Sequence, residues 1–267
     1  MLGWPDFSRR HPGPEWMDDP AARPEDLRRA YRDLTFINRH SGGALALRRA
    51  LDQFAGTPPA ERPWRILDVG FGGADLWPVV RAWAARRGAQ VEFIGLDLLT
   101  HREFLEPGAV TMKDILLRGD ALLPPLRPGA VDLVISSQTL HHIAPAGIAP
   151  FLAALARLGK QGALLVDLFR HPGPWVSIWL GTRLCGLGPM VRQDGPLSVR
   201  RGFIPEELQA IAQGAGIRME VCRKFPGRLV IYLPPAAGVP PAAAGEGGVG
   251  ATAAAVGAGA AAASRSR

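Results

Sequence analysis

Two carboxylates and a run of glycines crowd the point where an apolar stretch gives way to a bend. The segment reads Arg65-Ile66-Leu67-Asp68-Val69-Gly70-Phe71-Gly72-Gly73-Ala74-Asp75. A strand, a tight turn and a helix start in that order place a nucleotide-like ligand beyond the carboxyl edge of a parallel sheet. Glycine admits positive φ and lets the backbone come close to such a ligand. A dinucleotide turn reads G-x-G-x-x-G and holds a pyrophosphate on the helix N-terminus. Gly70 and Gly72 fit, but the third position is Asp75, whose carboxylate repels a diphosphate. Asp68 adds a second negative charge, so the pocket favours a cation and disfavours a nicotinamide dinucleotide.

Three further elements extend the pattern. Val91-Glu92-Phe93-Ile94-Gly95-Leu96-Asp97 is a second strand ending in an acid, and Arg118-Gly119-Asp120-Ala121 carries a third. Val131 to Ser137 is an apolar strand running into Gln138-Thr139-Leu140-His141-His142-Ile143. Together, in this order, they resemble the class I S-adenosylmethionine-dependent methyltransferases, in particular the ubiquinone- and polyketide-type bacterial enzymes acting on small molecules. The resemblance spans roughly residues 16 to 234. It implies a Rossmann-like α/β fold, with a seven-stranded, mostly parallel sheet, helices on both faces, a closing antiparallel hairpin and an N-terminal helical cap. It also implies S-adenosylmethionine as cofactor, with Asp97 on the ribose hydroxyls and Asp120 on the adenine amino group. Leu98 would stack on the base. Asp68, Gly70, Phe71, Gly72, Ala121 and Ser137 complete the expected cofactor-binding set, with Asp75 a secondary candidate that equally suits the helix start.

Methyl transfer needs alignment of nucleophile and methyl carbon and the management of one proton. If the acceptor is a hydroxyl, its base should be a histidine or carboxylate titrating near neutrality. His142 is the candidate catalytic residue, with Asp167, Arg170 and His171 as competitors on the next loop. A histidine in such a loop also serves as a cap or a packing residue.

Composition limits the remaining classes. A chain of 267 residues with 47% hydrophobic and 21% charged residues suits one α/β domain with a full core. The net charge of +7 and pI near 10.4 invite a nucleic-acid partner. The arginines are scattered, however, and far outnumber lysines, so none is expected. Cys185 and Cys222 show no zinc or redox spacing, and no metal site is expected. The charged, proline-rich start is no signal peptide and no apolar run is long enough to cross a bilayer, so a cytoplasmic protein is expected.

Residues 1–15 read as a flexible N-terminus and 16–60 as the helical cap, with helices from about Glu25 and from Ala44 to Phe54. In the resembled family this cap brings Tyr31, Arg32, Asn38 and Arg39 within reach of the cofactor. Residues 61–235 form the main domain. After the glycine turn, Leu76, Val79, Val80 and Trp83 make a sheet-covering helical stripe. Leu98, Leu99, Phe104 and Leu105 suggest a short helix, residues 145–158 a longer one, and Gly162–Phe169 a buried strand. Pro205 opens another helix, and residues 217–225 and 228–233 pair as a hairpin.

Residues 170–202 break the alternation and read as a substrate-side insertion. Its apolar residues Trp175, Val176, Ile178, Trp179, Leu180, Leu184, Leu187 and Met190 suit a packed helix, an acceptor pocket for something aromatic or lipid-like, or peripheral contact with a membrane. Asp194 to Arg201 reads as a turn and strand. The implied function is methylation of a small apolar or aromatic acceptor at a phenolic oxygen. Methylation at ring carbon and noncatalytic cofactor binding are the alternatives. Residues 236–267 read as a disordered Ala/Gly-rich tail, because such a composition is not expected to offset backbone ordering of about 1 to 2 kcal/mol per residue. Truncation after Pro235 should leave cofactor affinity unchanged in a calorimetric titration; a large loss would assign the tail to the site.

Overall fold

The computed structural model describes residues 4–59, 61–98 and 102–239; the expected tail from 240 onward, and Leu99, lie outside them. Seven strands, β1 (Trp64–Val69), β2 (Val91–Asp97), β3 (Ile115–Arg118), β4 (Leu133–Ser137), β5 (Ala163–Leu168), β6 (Glu220–Lys224) and β7 (Arg228–Leu233), form one sheet in the order β3-β2-β1-β4-β5-β7-β6. The first five run parallel, and β7 pairs antiparallel with both β5 and β6. The expected seven-stranded, mostly parallel sheet with its closing hairpin is therefore what the chain forms.

Among the described residues, seven α-helices surround it: α1 (Pro24–His40), α2 (Gly43–Phe54), α3 (Trp77–Ala85), α4 (Ile148–Leu158), α5 (Pro172–Leu184), α6 (Pro189–Arg201) and α7 (Pro205–Gly214). Alternation along β1 decides how the faces are used. Trp64 and Ile66 enter a core with Leu47, Leu51, Trp77, Trp83 and Phe93, beneath α2 and α3. Leu67 and Val69 enter the opposite core with Phe151, Leu152 and Leu155 of α4 and Leu208 of α7. Both faces of the sheet are thus dry, as a parallel sheet requires. Within the helix after the glycine turn, Trp77 joins Val80, Trp83 and Ala84 as fully buried, while Val79 is half-buried. The short helix expected after Asp97 is a 3₁₀ turn, Arg102–Phe104, with Phe104 buried.

Residues 170–202 contain two helices, α5 and α6, instead of a loop closed by a turn and strand. The Asp194-Gly195-Pro196 triplet carries a turn signature, and Pro196 sits inside α6, where a proline costs about 3 kcal/mol or more. Tertiary contacts outweigh that cost. Met190, Val191 and Val199 are buried, and the Asp194 carboxylate accepts from the backbone N–H of Trp16 and of Met17, both at 2.9 Å. Gly195 is there for contact: a Cβ on it would lie 2.8 Å from Cγ2 of Ile178 on α5. Ala30 and Ile37 of α1 complete a third, smaller core with Leu187, Met190 and Val191.

The expectation of a loose N-terminus also fails for residues 4–15. Arg10 lays its guanidinium 4.1 Å over the Phe203 ring and donates through Nε to the carbonyl of Arg201. His11 N–H donates to Arg200 O, Arg170 Nε donates to Phe7 O, and Glu15 is only 3% exposed. The charges that read as a solvated tail are the ones that fasten the segment across α6 and the end of β5.

Candidate functional site

Beyond the carboxyl ends of β1, β2 and β3 the expected cofactor residues converge. Gly70 takes φ +74 and Gly72 φ +51, and Gly70 N–H donates to Leu96 O, closing the turn against β2. At Gly70 a Cβ would stand 2.1 Å from the Thr139 hydroxyl, so the turn and the loop after β4 interlock only through glycine. The Gly72 N–H donates to Asp97 Oδ2 at 3.0 Å, which ties the β2 acid to the loop. Gly119 N–H donates to Asp97 O, and Arg118 Nε to Leu98 O, bringing β3 alongside. Leu98 is 61% exposed, in keeping with a side chain available for stacking. Asp120 is exposed and accepts from Leu122 N–H through Oδ1. Ala121 packs on the α4-side core. The Phe71 ring turns inward against Gly95 and Trp77, so only the backbone of that residue faces the turn. Ser137 ends β4 with its hydroxyl buried and unpartnered, while Ser136 Oγ donates to Val69 O.

The electrostatics of this cradle are lopsided. Asp68 is 5% exposed and accepts from Trp77 Nε1 at 2.7 Å. Burial, against that hydrogen bond and reinforced by the charges of Asp75 and Asp97, pushes its pKa up to about 7. Burial likewise raises Asp75, which accepts from Asn38 Nδ2 at 2.9 Å. Asn38 in turn accepts from Gln138 Nε2 at 2.5 Å. The cap helix is thereby linked to the glycine turn and to the end of β4. Tyr31 stacks on Phe104 beside Gly72, and burial with nearby Asp97 raises its pKa to about 12. Arg32 is exposed, and Arg39 is 3.8 Å from Glu106.

A second cluster lies past β4 and β5. His141 is buried, with Nδ1 2.7 Å from Asp167 Oδ1 and Nε2 3.5 Å from Glu15 Oε1. Burial opposes its charge, but Asp167 and Glu15 outweigh burial and raise the pKa to about 9. The same contacts hold Asp167 and Glu15 low against their own burial. His142 keeps part of its ring exposed, with Nδ1 3.1 Å from Asp18 Oδ2 and Nε2 3.9 Å from Glu15 Oε2. The alternative base candidates divide: Asp167 is tied up with His141, and Arg170 is buried in an ion pair with Glu207. His171 caps α5 by accepting from Gly173 N–H. Glu15, Asp18 and Arg201 were not anticipated as site residues. They come from distant segments, and the only sequence hint was a histidine pair in need of acidic partners.

Between the two clusters is a cavity of about 30 Å³ lined by Glu15, Ile37, Gln138, Ile178, Met190 and Asp194, among others. Its walls are mainly apolar, with Glu15, Asp194, Ser198 and Arg228 the charged and hydroxyl groups among them. The inner side of α5 thus forms part of a pocket wall, while Val176, Trp179, Leu180 and Leu184 remain exposed on its outer side. Among the described residues, no helix is long and apolar enough to cross a membrane.

Residues 67–166 match the model of a methyltransferase domain. No curated protein sequence matches the chain. Among solved structures, a SAM-dependent methyltransferase from Aquifex aeolicus aligns with TM-score 0.51 and 17% identity, over 77% of this chain and 97% of that one. Human N-acetylserotonin methyltransferase in complex with SAM gives 0.52 and 15%, over 79% and 56%. An O-methyltransferase family protein from Burkholderia thailandensis gives 0.50 and 14%, over 78% and 60%. At such identities the likeness is one of fold.

The raised Asp68 pKa carries a stability consequence. A carboxyl that holds its proton more tightly folded than unfolded makes the apo fold progressively less stable as pH rises from 3.8 towards about 7. Asp68→Asn keeps an acceptor oxygen for Trp77, so relative to wild type it should gain stability across that window and unfold at higher temperature at about pH 8. Parallel wild-type and variant profiles would rule out a buried, proton-binding Asp68.

Proposed function

We propose that the chain is a class I S-adenosylmethionine-dependent methyltransferase that methylates a phenolic oxygen on a small apolar or aromatic acceptor of polyketide or quinone type, a reading supported by the match of residues 67–166 to a methyltransferase domain. S-adenosylmethionine supplies an electrophilic methyl group on a sulfonium. The fit of this protein to that group rests on the cradle itself, where buried Asp68 feels the charges of Asp75 and Asp97 and lacks compensation. A cation placed there relieves all three carboxylates. Asp97, fixed by Gly72 N–H, is assigned to the ribose hydroxyls, and Asp120 to the adenine amino group.

The acceptor is assigned to the cavity across Gln138. At about 30 Å³ the cavity is several times smaller than the roughly 150 Å³ that accommodates a benzene ring. An aromatic acceptor therefore enters only as α5 and α6 draw back from α1, and the apolar contacts of Ile178 and Met190 pass from the protein to the ligand. Aligning the acceptor oxygen with the methyl carbon at about 3 to 3.5 Å is the larger part of the work. The remaining part is the hydroxyl proton, which His142 accepts while Asp18 holds its imidazole and stabilises the charge that forms.

The single observation behind this reading is a mainly apolar cavity lined both by Gln138 from the end of β4 and by Glu15, the carboxylate that the histidine pair faces. Incubation with S-adenosylmethionine and a panel of phenols and quinols, with products read by mass spectrometry and NMR, tests it. Oxygen-linked methyl groups are expected. Methyl groups on ring carbon would shift the chemistry to carbon, and cofactor binding without product would favour a noncatalytic role. His142→Ala should lower kcat about 10²- to 10⁴-fold at saturating cofactor; an unchanged kcat would remove His142 from the mechanism.

A further inference from the structure

The cluster beyond β4 and β5 has an arrangement that proton transfer alone does not require. Both imidazoles carry a carboxylate on Nδ1, Asp167 on His141 at 2.7 Å and Asp18 on His142 at 3.1 Å. A carboxylate only accepts, so each pair keeps a proton on Nδ1 and turns Nε2 towards the shared point, where a bound cation would take the place of any proton on Nε2. Both Nε2 atoms face one residue, Glu15, from opposite carboxylate oxygens, at 3.5 Å and 3.9 Å. A carboxylate on the outer nitrogen and a shared point on the inner one is how metal-bound histidines are held.

Glu15 supplies the independent observation. It is 3% exposed, and its Oε1 makes no hydrogen bond. Arg201 lies 3.6 Å away but directs Nε to His141 O and Nη1 to Gly13 O. The Glu15 oxygen lies in ion-pair range of His141 Nε2 and Arg201 Nε but has no directed donor from either, which leaves it able to take a cation.

We propose that Glu15 and the Nε2 atoms of His141 and His142 bind a divalent transition-metal cation of the Zn²⁺ class, with an open position towards the cavity. One ligand atom from each of the three residues lies within 4.8 Å of the others. A tetrahedral cation with bonds of about 2.0 to 2.2 Å sets its ligands about 3.3 to 3.6 Å apart, so the three groups would draw in on the cation as it binds. Two imidazoles and one carboxylate suit Zn²⁺, Co²⁺ or Fe²⁺ better than Mg²⁺, which prefers oxygen and water. Glu15 also lines the acceptor cavity, so an acceptor oxygen can take the open position. That last step rests on the methyltransferase reading above. With the cation bound, His142 would be a ligand and not a base: the metal would acidify the acceptor hydroxyl, whose proton would pass to solvent, and His142 would accept it directly only in the cation's absence.

Tag-free full-length protein, stripped with chelator and desalted, is titrated with Co²⁺ and followed by visible absorption, with Zn²⁺ calorimetry alongside. One equivalent of Co²⁺ with ligand-field bands of a four- or five-coordinate site is expected. Glu15→Gln and His142→Ala, each checked for native circular dichroism, should abolish the bands. Asp18→Asn, which alters only the outer nitrogen of His142, should weaken affinity about 10- to 100-fold. Absence of bands and of Zn²⁺ heat in wild type overturns the site, as does binding that persists in both Glu15→Gln and His142→Ala. Phenol methylation that survives chelation while no cobalt binds would end the cation proposal and leave the proposed activity standing.

Discussion

Burying carboxylates without a compensating cation is the constraint around which this protein is arranged. A carboxylate at the dry end of β1 is expensive, and Asp68 meets that cost through one indole N–H and a pKa raised to about 7. The neighbours make matters worse: Asp75 and Asp97 add charge of the same sign. Such a cradle is poorly matched to phosphate and well matched to a sulfonium or ammonium group. Stability in the empty protein is given up at the place where binding restores it, a common pattern at sites shaped for a charged ligand.

The surrounding elements keep that cradle open and correctly aimed. Glycine at position 70 lets Thr139 approach, and Gly72 anchors Asp97, so the β1 turn, the β2 acid and the β4 loop form one unit. The hydrogen-bond line from Asp75 through Asn38 to Gln138 carries the cap helix into the same unit. Gln138 also borders the apolar cavity, so the proposed cofactor and acceptor sites share a wall. On the far side, the N-terminal segment delivers Glu15 and Asp18 to the histidine pair, completing a cluster that the central domain holds only in part.

The parallel sheet was legible because each strand ended in a chemical signal: Asp68 and Gly70 for β1, Asp97 for β2, the paired histidines after β4. Local pattern and global fold agreed there. The insertion was misread for a definite reason. Asp194-Gly195-Pro196 has turn chemistry, yet α6 buries Met190, Val191 and Val199 against α1, and Gly195 admits Ile178. Long-range packing decided, and propensity gave way. The N-terminal segment was hidden for a different reason. Arg10 and Glu15 look like solvated charges until Phe203, Arg201 and His141 are brought beside them by the fold. Nothing in short-range spacing announces a partnership between residues from opposite ends of a chain.

Calorimetric titration with S-adenosylmethionine at about pH 6 and about pH 8 probes the charged cradle most directly. An Asp68 carboxyl with a pKa near 7 in the empty protein must lose its proton to face the sulfonium. Affinity should then be about tenfold tighter at the higher pH, with close to one proton released per cofactor bound at about pH 6 and close to none at about pH 8. Equal or weaker affinity at the higher pH, or no binding at either, would contradict a site built on buried carboxylates awaiting a cation.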